Sequence, residues 1–528
     1  MSFTQLQVKS SFSLLQSPIT IKGLIQAAKA RGYQALALTD VNVLYGSVEF
    51  YRQAKAAGIK PLIGLTIQIA DAQIVAIAQN DIGYHQLLKI SSQIKLATDP
   101  VKLTDLPDFN GLAVIVPAAY LLTPGFSERW TSGDDLLQAI QAKTPAQVNI
   151  GLRAQDLQSE LPAFAQARHL PMVALGDVNY LEPTDAFNQK VLQAIGAGTP
   201  LNLRDPTLMD PGIQWLMPPD TAAQPFIDAG LEAAVQQTAA IAQQADVTIQ
   251  FKQPQLPHFD TPDGLDAPTY LKQLATKGLK TRFVNQAVPA DYTKRLAYEL
   301  GVITEMGFAD YFLVVWDVMN HAHQVNIMTG PGRGSAAGAL VAWALAITEV
   351  DPIKYHLLFE RFLNPARAQM PDIDLDIPDN RRQELIEYVH QRYGDDHMAQ
   401  IITFGTFGAK QALRDVARVF GLSQFESNKW SAAIPSVFHI DLQTAYKQSQ
   451  PLRNLVSDSE QNQQLFATAV ALEGLPRHDS THAAGIVLAQ EPLTDTVALQ
   501  TGGDGIAQTQ VPMGDVEALG LLKMDLLG

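Results

Sequence analysis

The chain has 528 residues, no cysteine and a formal net charge of −15 at pH 7. Its length exceeds what one hydrophobic core normally supports and predicts about three domains. Without cysteine there can be no disulfide, thiolate nucleophile or cysteine-based zinc site, so any metal must bind oxygen or imidazole ligands. The negative charge excludes a surface that attracts nucleic acid everywhere, so DNA contact would need a local basic patch.

Two features of the sequence argue against export and membrane insertion. The first residues, MSFTQLQVKSSFSLL, lack the basic and then apolar order of a secretory signal. The uncharged apolar stretch 336–348 is shorter than the roughly 20 residues that a bilayer-spanning helix needs. We therefore expect a cytoplasmic protein that does not contact a membrane.

Short apolar strands alternate with amphipathic helices through the first 250 residues, which predicts a parallel sheet or an α/β barrel. Asp40 and Asp177 each follow a strand. They are either site candidates at the carboxyl ends of barrel strands or caps of the next helix, and both interpretations stay open. The proline-rich stretch FKQPQLPHFDTPDG predicts a linker and a domain boundary near residue 250.

A glycine-rich turn, TGPGRGSAAG, precedes an uncharged apolar run that predicts a long helix with Ser335 as its N-cap. Backbone amides and the helix dipole at such a start can bind phosphate, and glycine lets the backbone approach the anion closely. A glycine-rich turn alone is more often an ordinary loop, so its meaning depends on the segments that follow.

The segment MPDIDLDIPD alternates acidic and aliphatic residues. On a strand this alternation places Asp372, Asp374 and Asp376 on one face and the aliphatic side chains on the other. Adjacent carboxylates repel unless a cation shares them, and oxygen-only ligands suit Mg²⁺. The alternative is an exposed edge strand with a solvated acidic face.

Lys523 and Asp525 lie two residues apart in the predicted strand GLLKMDLLG and therefore point to one face. Read alone, they form a surface ion pair that contributes little to stability. Read with the glycine-rich turn and the aspartate strand, they complete a nucleotidyltransferase set: a phosphate-binding turn, two carboxylates on one strand and one on another.

Three basic residues, Lys410, Arg414 and Arg418, recur every four positions and so share one face of a predicted helix. This spacing suits a row of DNA phosphates. An ordinary solvated stripe is the alternative, because Asp415 interrupts the stretch and basic helix faces are common.

Two histidine pairs attract attention as possible metal ligands. His321 and His323 lie two positions apart in a helical stretch, and His478 and His482 lie four positions apart. Metal-binding pairs on a helix normally recruit further ligands, and none is evident here. For the second pair we therefore favour contact with a DNA backbone over metal binding.

Three amino-terminal segments resemble the polymerase-and-histidinol-phosphatase (PHP) domain: QVKSSFSLL, LALTDVNVLYGSVEFYRQAKAAGIKPLIG and ALGDVNYLEPTDA. Where metal-binding members of that family carry histidines or an acid, this sequence has Gln7, Lys9, Val41, Thr66, Asn179 and Gln189. Amides and a lysine cannot replace imidazoles around a metal cluster. The resemblance therefore implies a metal-free scaffold without proofreading or phosphoesterase activity.

The second half resembles the palm of C-family bacterial replicative DNA polymerases. The matching segments are GPGRGSAAGALVAWALAITEVDP, LLFERFLNPARAQMPDIDLDIP, QIITFGTFGAKQALRDVARVFG, THAAGIVLA and LLKMDLLG. The resemblance implies that Asp372, Asp374 and Asp525 hold two Mg²⁺ ions and are catalytic, with Asp376 as support. It assigns substrate phosphates to Arg333, Gly334, Ser335, Arg361 and Lys523, and DNA to Lys410, Arg414 and Arg418. Ala339 stands where the family commonly has serine, which should not alter the chemistry.

The resemblance predicts a multidomain α/β and α+β protein. We expect a PHP-like βα barrel in residues 1–249, a polymerase-β-like nucleotidyltransferase palm in 250–403 and 482–528, and a helical thumb in 404–481. Because the sequence stops just after Asp525, fingers and later modules are expected to be absent.

The implied function is template-directed DNA synthesis by two-metal nucleotidyl transfer from a dNTP to a primer 3′-hydroxyl, as the catalytic subunit of a replicative polymerase. Primer–template DNA, dNTPs and replisome subunits such as the sliding clamp are the implied partners. Two alternatives stay open: a non-catalytic primer–template-binding fragment, and a PHP phosphoesterase, against which the missing histidines argue.

Overall fold

A computed structural model describes residues 3–121, 132–251, 256–366 and 371–527. The chain forms two compact units. The first comprises Met1–Ile249 and Thr403–Ser480, and the second comprises Gln250–Ile402 and Thr481–Gly528. Residues 252–255 of the predicted linker lie outside the described residues. Among the described helices, none is both long and apolar enough to cross a membrane.

The amino-terminal part of the first unit alternates helices and strands, as its sequence predicts. The elements are α1 (Ile21–Ala30), β1 (Ala35–Leu38), α2 (Ser47–Ala57), β2 (Lys60–Gln68), β3 (Gln73–Ala78), α3 (Asp81–Leu96), β4 (Leu112–Pro117), α4 (Gly133–Gln141), β5 (Asn149–Leu152), α5 (Leu161–Ala167), β6 (Met172–Ala174), α6 (Ala186–Ala197), α7 (Pro219–Asp228) and α8 (Glu232–Gln244).

The strands β1 to β6 form one sheet in sequence order. All neighbours are parallel except β3, which runs antiparallel to both β2 and β4. The segment before α1 bridges both ends of the sheet, because Gln5 pairs with Leu36 in β1 and Val8 pairs with Val178 just after β6. The sheet therefore curls toward a barrel, in agreement with the predicted PHP-like fold.

The remaining elements continue in chain order. They are α9 (Ala267–Arg282), α10 (Ala290–Glu305), α11 (Ala309–Gln324), α12 (Leu340–Ala344), β7 (Asp374–Asp376), α13 (Arg382–Tyr393), β8 (Met398–Thr406), α14 (Ala409–Val419), α15 (Gln424–Ala432), α16 (Leu442–Gln448), α17 (Gln450–Ser457), α18 (Glu460–Leu472), β9 (Pro476–Leu488), β10 (Leu499–Thr501), β11 (Ala507–Pro512), α19 (Met513–Ala518) and β12 (Leu522–Leu527).

The sheet of the second unit has the order β10-β11-β8-β9-β12-β7. It is mixed: β12 runs parallel to β7 and antiparallel to β9. Ile373, Leu375 and Ile377 are buried in one hydrophobic cluster with Met524 and Leu526, to which α9 to α13 also contribute. The aliphatic half of each alternating strand thus faces the core, which leaves the carboxylate half on the opposite face.

The five helices α14 to α18 belong to the first unit. Leu413 and Val416 of α14 are buried in one cluster with Leu465 of α18 and with Phe187 and Val191 of α6. The segment that we expected to form a helical thumb is therefore helical and packs on the PHP-like part of the chain.

The apolar run 336–348 does not form the long helix that the sequence predicts. A 3-10 turn, Ser335–Gly338, is followed by α12, which has only five residues. Gly334 occupies the cap position of the turn, and Ala339 occupies that of α12. The prediction of Ser335 as the N-cap of a long helix was wrong.

Packing explains the break between the turn and α12. The backbone of Gly338 lies so close to the Leu358 carbonyl that a Cβ at this position would come within 2.8 Å of the oxygen. The chain is extended at Ala339, with φ −93° and ψ 117°. Buried Glu299 then accepts a 3.0 Å hydrogen bond from the Val341 N–H and supplies the missing helical partner.

Candidate active site

Three carboxylates converge on the face of the second sheet that lies away from its core. Asp374 in β7 and Asp525 in β12 are register partners in neighbouring parallel strands. Asp372 immediately precedes β7. One carboxylate oxygen from each residue lies within 4.8 Å of the other two. This spacing is small enough for one cation to contact all three residues.

The charge on this cluster is only partly balanced by protein groups. Burial raises the pKa of Asp372; the Lys523 ammonium lowers it, but Asp374 and Asp525 raise it further, and the net direction is upward. The Oδ1 atom of Asp525 is buried without a hydrogen-bond partner in the described structure. A buried, unpaired carboxylate oxygen beside two more carboxylates is a donor set that fits Mg²⁺.

Lys523 supplies one positive charge inside the cluster. Its Nζ atom lies 3.0 Å from Asp525 Oδ2 and 3.4 Å from Glu517 Oε1. Burial alone would lower the pKa of Lys523, but the hydrogen bond to Asp525 and the charge of Asp372 raise it above its usual value. The ammonium therefore stays charged at neutral pH.

Asp376 is the carboxylate that lies nearest to Arg333. Arg333 Nε lies 3.3 Å from Asp376 Oδ1 and 3.6 Å from Asp374 Oδ2. Asp376 is not part of the group whose oxygens share one cation-sized space. Its place in the structure is beside the arginine of the glycine-rich turn.

The glycine-rich turn lies directly against β7. Gly330 donates its N–H to the Asp376 carbonyl at 2.9 Å, and a Cβ at Gly330 would come 2.5 Å from Asp376 Cβ. Gly334 has φ 63° and ψ −152°, a conformation that only glycine adopts readily. A Cβ at Gly334 would lie 3.6 Å from Asp374 Oδ2. The turn thus brings exposed backbone amides and Arg333 next to the carboxylates.

Ser335 and Arg361, the other predicted phosphate contacts, are both exposed. Ser335 begins the 3-10 turn after Gly334, and Arg361 ends a second 3-10 turn, Phe359–Arg361, which packs on the first. Because α12 is short and its first amides are taken up by Glu299, a helix dipole does not contribute to this site. The backbone of the turn and the side chains beside it are the groups here that could contact an anion.

The basic stripe lies in the first unit, on α14. Lys410, Arg414 and Arg418 are all exposed on one face of that helix. Asp415 is not exposed beside them, because its carboxylate is buried and forms a 2.8 Å ion pair with Arg477. It also pairs with Arg418 at 3.1 Å. The exposed side chains at these three positions are therefore all basic, and one of them, Arg418, is paired with a buried carboxylate.

The histidines serve separate structural contacts. His321 stacks on Tyr388 with ring centroids 3.6 Å apart, and His323 shares a 3.1 Å hydrogen bond with Thr329. His478 and His482 lie on the strand β9 rather than on a helix. In the described structure neither pair belongs to a group of three metal-ligating side chains.

Asp177 in the PHP-like part is surrounded by cationic and amide groups. Its carboxylate lies 2.9 Å from Lys9 Nζ and 3.1 Å from Arg153 Nη2, and Gln214 donates to it at 2.9 Å. Burial would raise the pKa of Asp177, but Lys9 and Arg153 outweigh burial and lower it. Lys9 thus occupies, as an ion-pair partner, a position where the family's metal-binding members have a ligand.

The other residues at positions where the family's metal-binding members have ligands also bond to protein groups. Gln7 donates to Thr66 Oγ1 at 3.4 Å, Asn179 to the Asp177 carbonyl at 3.1 Å and Gln189 to the Gln16 carbonyl at 3.3 Å. Val41 pairs with Thr66 as a backbone bridge. These amides and apolar groups do not fit a metal cluster.

Asp40 accepts hydrogen bonds from three groups: Ser10 N–H at 2.7 Å, Ser10 Oγ at 2.8 Å and Ser13 Oγ at 2.6 Å. Neither Asp40 nor Asp177 caps the following helix, since α2 has Gly46 at its cap position and α6 has Asp185. The capping interpretation was wrong for both residues. Both carboxylates instead hold loops of the PHP-like part together.

Tyr311 is a site residue that sequence reasoning missed. It is fully buried in α11, and its hydroxyl accepts a 2.9 Å hydrogen bond from the Ile373 N–H, between the two strand aspartates. Burial raises the pKa of Tyr311, and the nearby carboxylates raise it further. The one sequence feature that could have indicated this role is the position of the tyrosine within the apolar run YFLVVW.

Comparison with known proteins agrees with this architecture. Residues 5–111 match the PHP domain, and residues 269–528 match the bacterial DNA polymerase III alpha NTPase domain. The chain is 44% identical to the DNA polymerase III subunit alpha of Bacillus subtilis over 100% of its length and 48% of the relative. The corresponding subunit of Halalkalibacterium halodurans is 37% identical, with the same coverage. That of Staphylococcus epidermidis is 36% identical over 99% of this chain and 47% of the relative.

The fold and the matches define a chain that combines a PHP domain with a polymerase-type nucleotidyltransferase domain. It belongs to the family of bacterial DNA polymerase III alpha subunits. The chain spans about half the length of the curated relatives that it matches.

Proposed function

We propose that this chain carries the catalytic centre of a replicative DNA polymerase, which transfers a nucleotide from a dNTP to the 3′-hydroxyl of a primer on a DNA template. The observation that carries the proposal is the convergence of Asp372, Asp374 and Asp525, with an unpaired Asp525 oxygen, beside the glycine-rich turn. In the reaction the primer 3′-oxygen forms a bond to the α-phosphorus, pyrophosphate leaves, and the hydroxyl proton is released.

Asp372, Asp374 and Asp525 are the residues that would hold Mg²⁺, and two such ions supply nucleophile activation and charge neutralisation when bound. The aliphatic residues between the aspartates anchor β7 in the core, so the carboxylates are fixed before substrate arrives. The protein's own contribution is thus a rigid set of oxygen ligands in defined register.

Arg333, Gly334 and Ser335 would contact the triphosphate, since their turn lies against Asp374 and exposes its backbone. Lys523 would contact a substrate phosphate from within the carboxylate cluster. Arg361 is a further candidate because its turn packs on the turn that begins at Ser335. These cations would balance the negative charge of the nucleotide and hold its phosphates in place.

Lys410, Arg414 and Arg418 would hold the backbone of primer–template DNA, because they form an exposed basic face on a protein whose net charge is −15. Replisome subunits such as the sliding clamp are further partners that we propose for the whole protein, through regions outside this chain. Its place of action would be the cytoplasm, where bacterial DNA is replicated.

The PHP-like part would serve as a metal-free scaffold. Lys9 and Arg153 form ion pairs with Asp177. Helix α14 packs on α6 of this part. A phosphoesterase function is disfavoured because positive charge stands where a metal would bind.

One experiment tests the proposed function at its centre. Mn²⁺ binding to this chain should be measured by electron paramagnetic resonance for the wild type, Asp525→Asn and Asp376→Asn. We expect Asp525→Asn to weaken binding strongly and Asp376→Asn to have a smaller effect. Equal affinity in all three would show that the three converging carboxylates are not the metal site.

A further inference from the structure

Three neighbouring strands contribute one transverse row of residues beside the site. Asp374 in β7 pairs in register with Asp525 in β12, and Asp525 pairs with Gly485 in β9. A Cβ at Gly485 would lie 3.4 Å from Asp525 Oδ1 and 3.0 Å from His482 Nδ1. The imidazole of His482 therefore lies beside the gap that Gly485 leaves open next to the Asp525 carboxylate.

Two backbone hydrogen bonds select the tautomer of this imidazole. His482 Nδ1 accepts from the Gly485 N–H at 2.7 Å and from the Ala484 N–H at 3.1 Å. A ring nitrogen that accepts hydrogen bonds carries no proton, so the proton of the neutral ring lies on Nε2. The side chain is half-buried, and no group in the described structure takes up Nε2. His482 therefore presents one oriented N–H donor next to the carboxylates.

The two sides of the carboxylate cluster are not equivalent. The glycine-rich turn lies on the β7 side, against Asp374, with Arg333 3.6 Å from the same carboxylate. If the triphosphate binds to this turn, the primer end must approach from the opposite side of the cluster. That side is formed by β9, on which His482 lies.

We infer that His482 donates its Nε2–H to the primer backbone, at the phosphodiester that links the last two nucleotides of the primer. The inference rests on the proposed function, since it requires that a primer end reaches Asp525. His482 is then a substrate-binding residue that helps to place the 3′-hydroxyl.

A purely structural role for His482 predicts different behaviour, and two variants separate the roles. In His482→Asn the side-chain oxygen can still accept the two backbone N–H groups near the Nδ1 position, but the outer donor is lost. In His482→Gln the amide can offer an N–H near the Nε2 position, but the backbone acceptor is lost. A structural role therefore favours asparagine, and phosphate contact favours glutamine.

The test is a thermodynamic cycle, analogous to a double-mutant cycle, that combines these variants with a modification of the DNA. Primer–template affinity of the full chain is measured in Mg²⁺ with the last primer linkage either as a phosphodiester or as an uncharged methylphosphonate. A methylphosphonate about ten linkages upstream, and His323→Asn in α11, serve as controls. Thermal unfolding of each variant shows whether the fold is retained.

We expect the terminal methylphosphonate and His482→Asn each to weaken binding by about tenfold, and the two together by no more than about tenfold, because both remove the same hydrogen bond. His482→Gln should retain most of the wild-type affinity. If the two losses multiply, or if asparagine binds better than glutamine, His482 does not contact this phosphate. A wild-type chain that binds no primer–template would overturn the proposed function as well.

Discussion

Asp374 and Asp525 face each other as register partners across two parallel strands, although 150 residues separate them in the sequence. This pairing, rather than the spacing within either strand, sets the distance between carboxylates of different segments. Asp372, two residues before Asp374, joins this group. Asp376, two residues after Asp374, lies outside it and pairs with Arg333, which also contacts Asp374. Several expectations about variants follow from this asymmetry.

Asp→Asn at position 372, 374 or 525 should lower the rate of nucleotide incorporation by about a hundredfold or more, because the amide keeps the shape but not the charge. The measurement is single-turnover incorporation by the full-length protein, with primer–template affinity measured in parallel and expected to change little. Asp376→Asn is the matched control and should lose less. An inactive Asp376→Asn beside an active Asp374→Asn would place the metal site one strand repeat later.

Replacing Lys410, Arg414 and Arg418 by alanine should weaken primer–template binding equally for all sequences. The slope of log affinity against log salt should become less steep by about 2 to 3, since each lost phosphate contact contributes about 0.9. Alanine at the exposed residues Lys22, Lys29 and Lys55 changes the charge by the same amount elsewhere and should leave the slope close to that of the wild type. Equal slopes for the two triple variants would make the α14 face an ordinary solvated surface.

Asp177→Asn should reduce the free energy of unfolding at pH 7 by about 3 kcal/mol, because it leaves Lys9 and Arg153 without their buried partner. The folded-state pKa of Asp177 is lowered, so its stabilisation is complete above the unfolded value of about 3.9 and is lost as the pH falls through the folded value.

The difference between wild type and variant in urea unfolding should therefore be constant from pH 7 to about 5 and shrink at lower pH. Asp458→Asn, an exposed position, serves as the control and should change little. A difference that grows on acidification would contradict the lowered pKa of Asp177.

The PHP-like part should bind no zinc or manganese. Elemental analysis of the intact chain carrying Asp372→Asn and Asp525→Asn isolates this part, because the palm ligands are then disabled. We expect no stoichiometric metal and no removal of primer 3′ nucleotides. One equivalent of tightly bound metal in this double variant, or chelator-sensitive 3′ exonuclease activity, would show that the Lys9 region is not a metal-free scaffold.

Tyr311→Phe should destabilise the chain by about 1 to 3 kcal/mol, because the buried Ile373 N–H loses its acceptor. It should also weaken Mn²⁺ binding by about tenfold or more, since outer groups that orient metal ligands have effects of this size. Tyr270→Phe, in the same hydrophobic cluster, is the control for loss of a hydroxyl. Unchanged metal affinity would limit Tyr311 to a role in packing.

The chemistry of the site was more predictable from the sequence than its three-dimensional arrangement. The alternation of acidic and aliphatic residues at 372–377 predicts which side chains share a face, because strand geometry is local. The pairing of Asp374 with Asp525, the hydrogen bond from Ile373 to Tyr311 and the ion pair of Lys9 with Asp177 join distant segments. No periodicity in one segment can predict them.

The largest error, the long helix after Ser335, has the same origin. An uninterrupted apolar run predicts a helix, because α-helical hydrogen bonds would satisfy its backbone N–H and C=O groups locally. The tight approach of Gly338 to the Leu358 carbonyl and the acceptor provided by Glu299 make a break more favourable. Both partners lie far away in the sequence, so tertiary packing overrides the local preference.

The position of β7 at the edge of its sheet, with β12 as its neighbour, has a consequence for biosynthesis. A ribosome makes Asp374 well before it makes Asp525, and β12 follows the entire helical segment α14 to α18. Until then β7 lacks β12, its neighbour in the described sheet. Pairing between strands so far apart in the sequence is slow. The mutual repulsion of the three carboxylates therefore arises only when most of the surrounding core can already form, so this carboxylate cluster would be among the last parts of this chain to assemble.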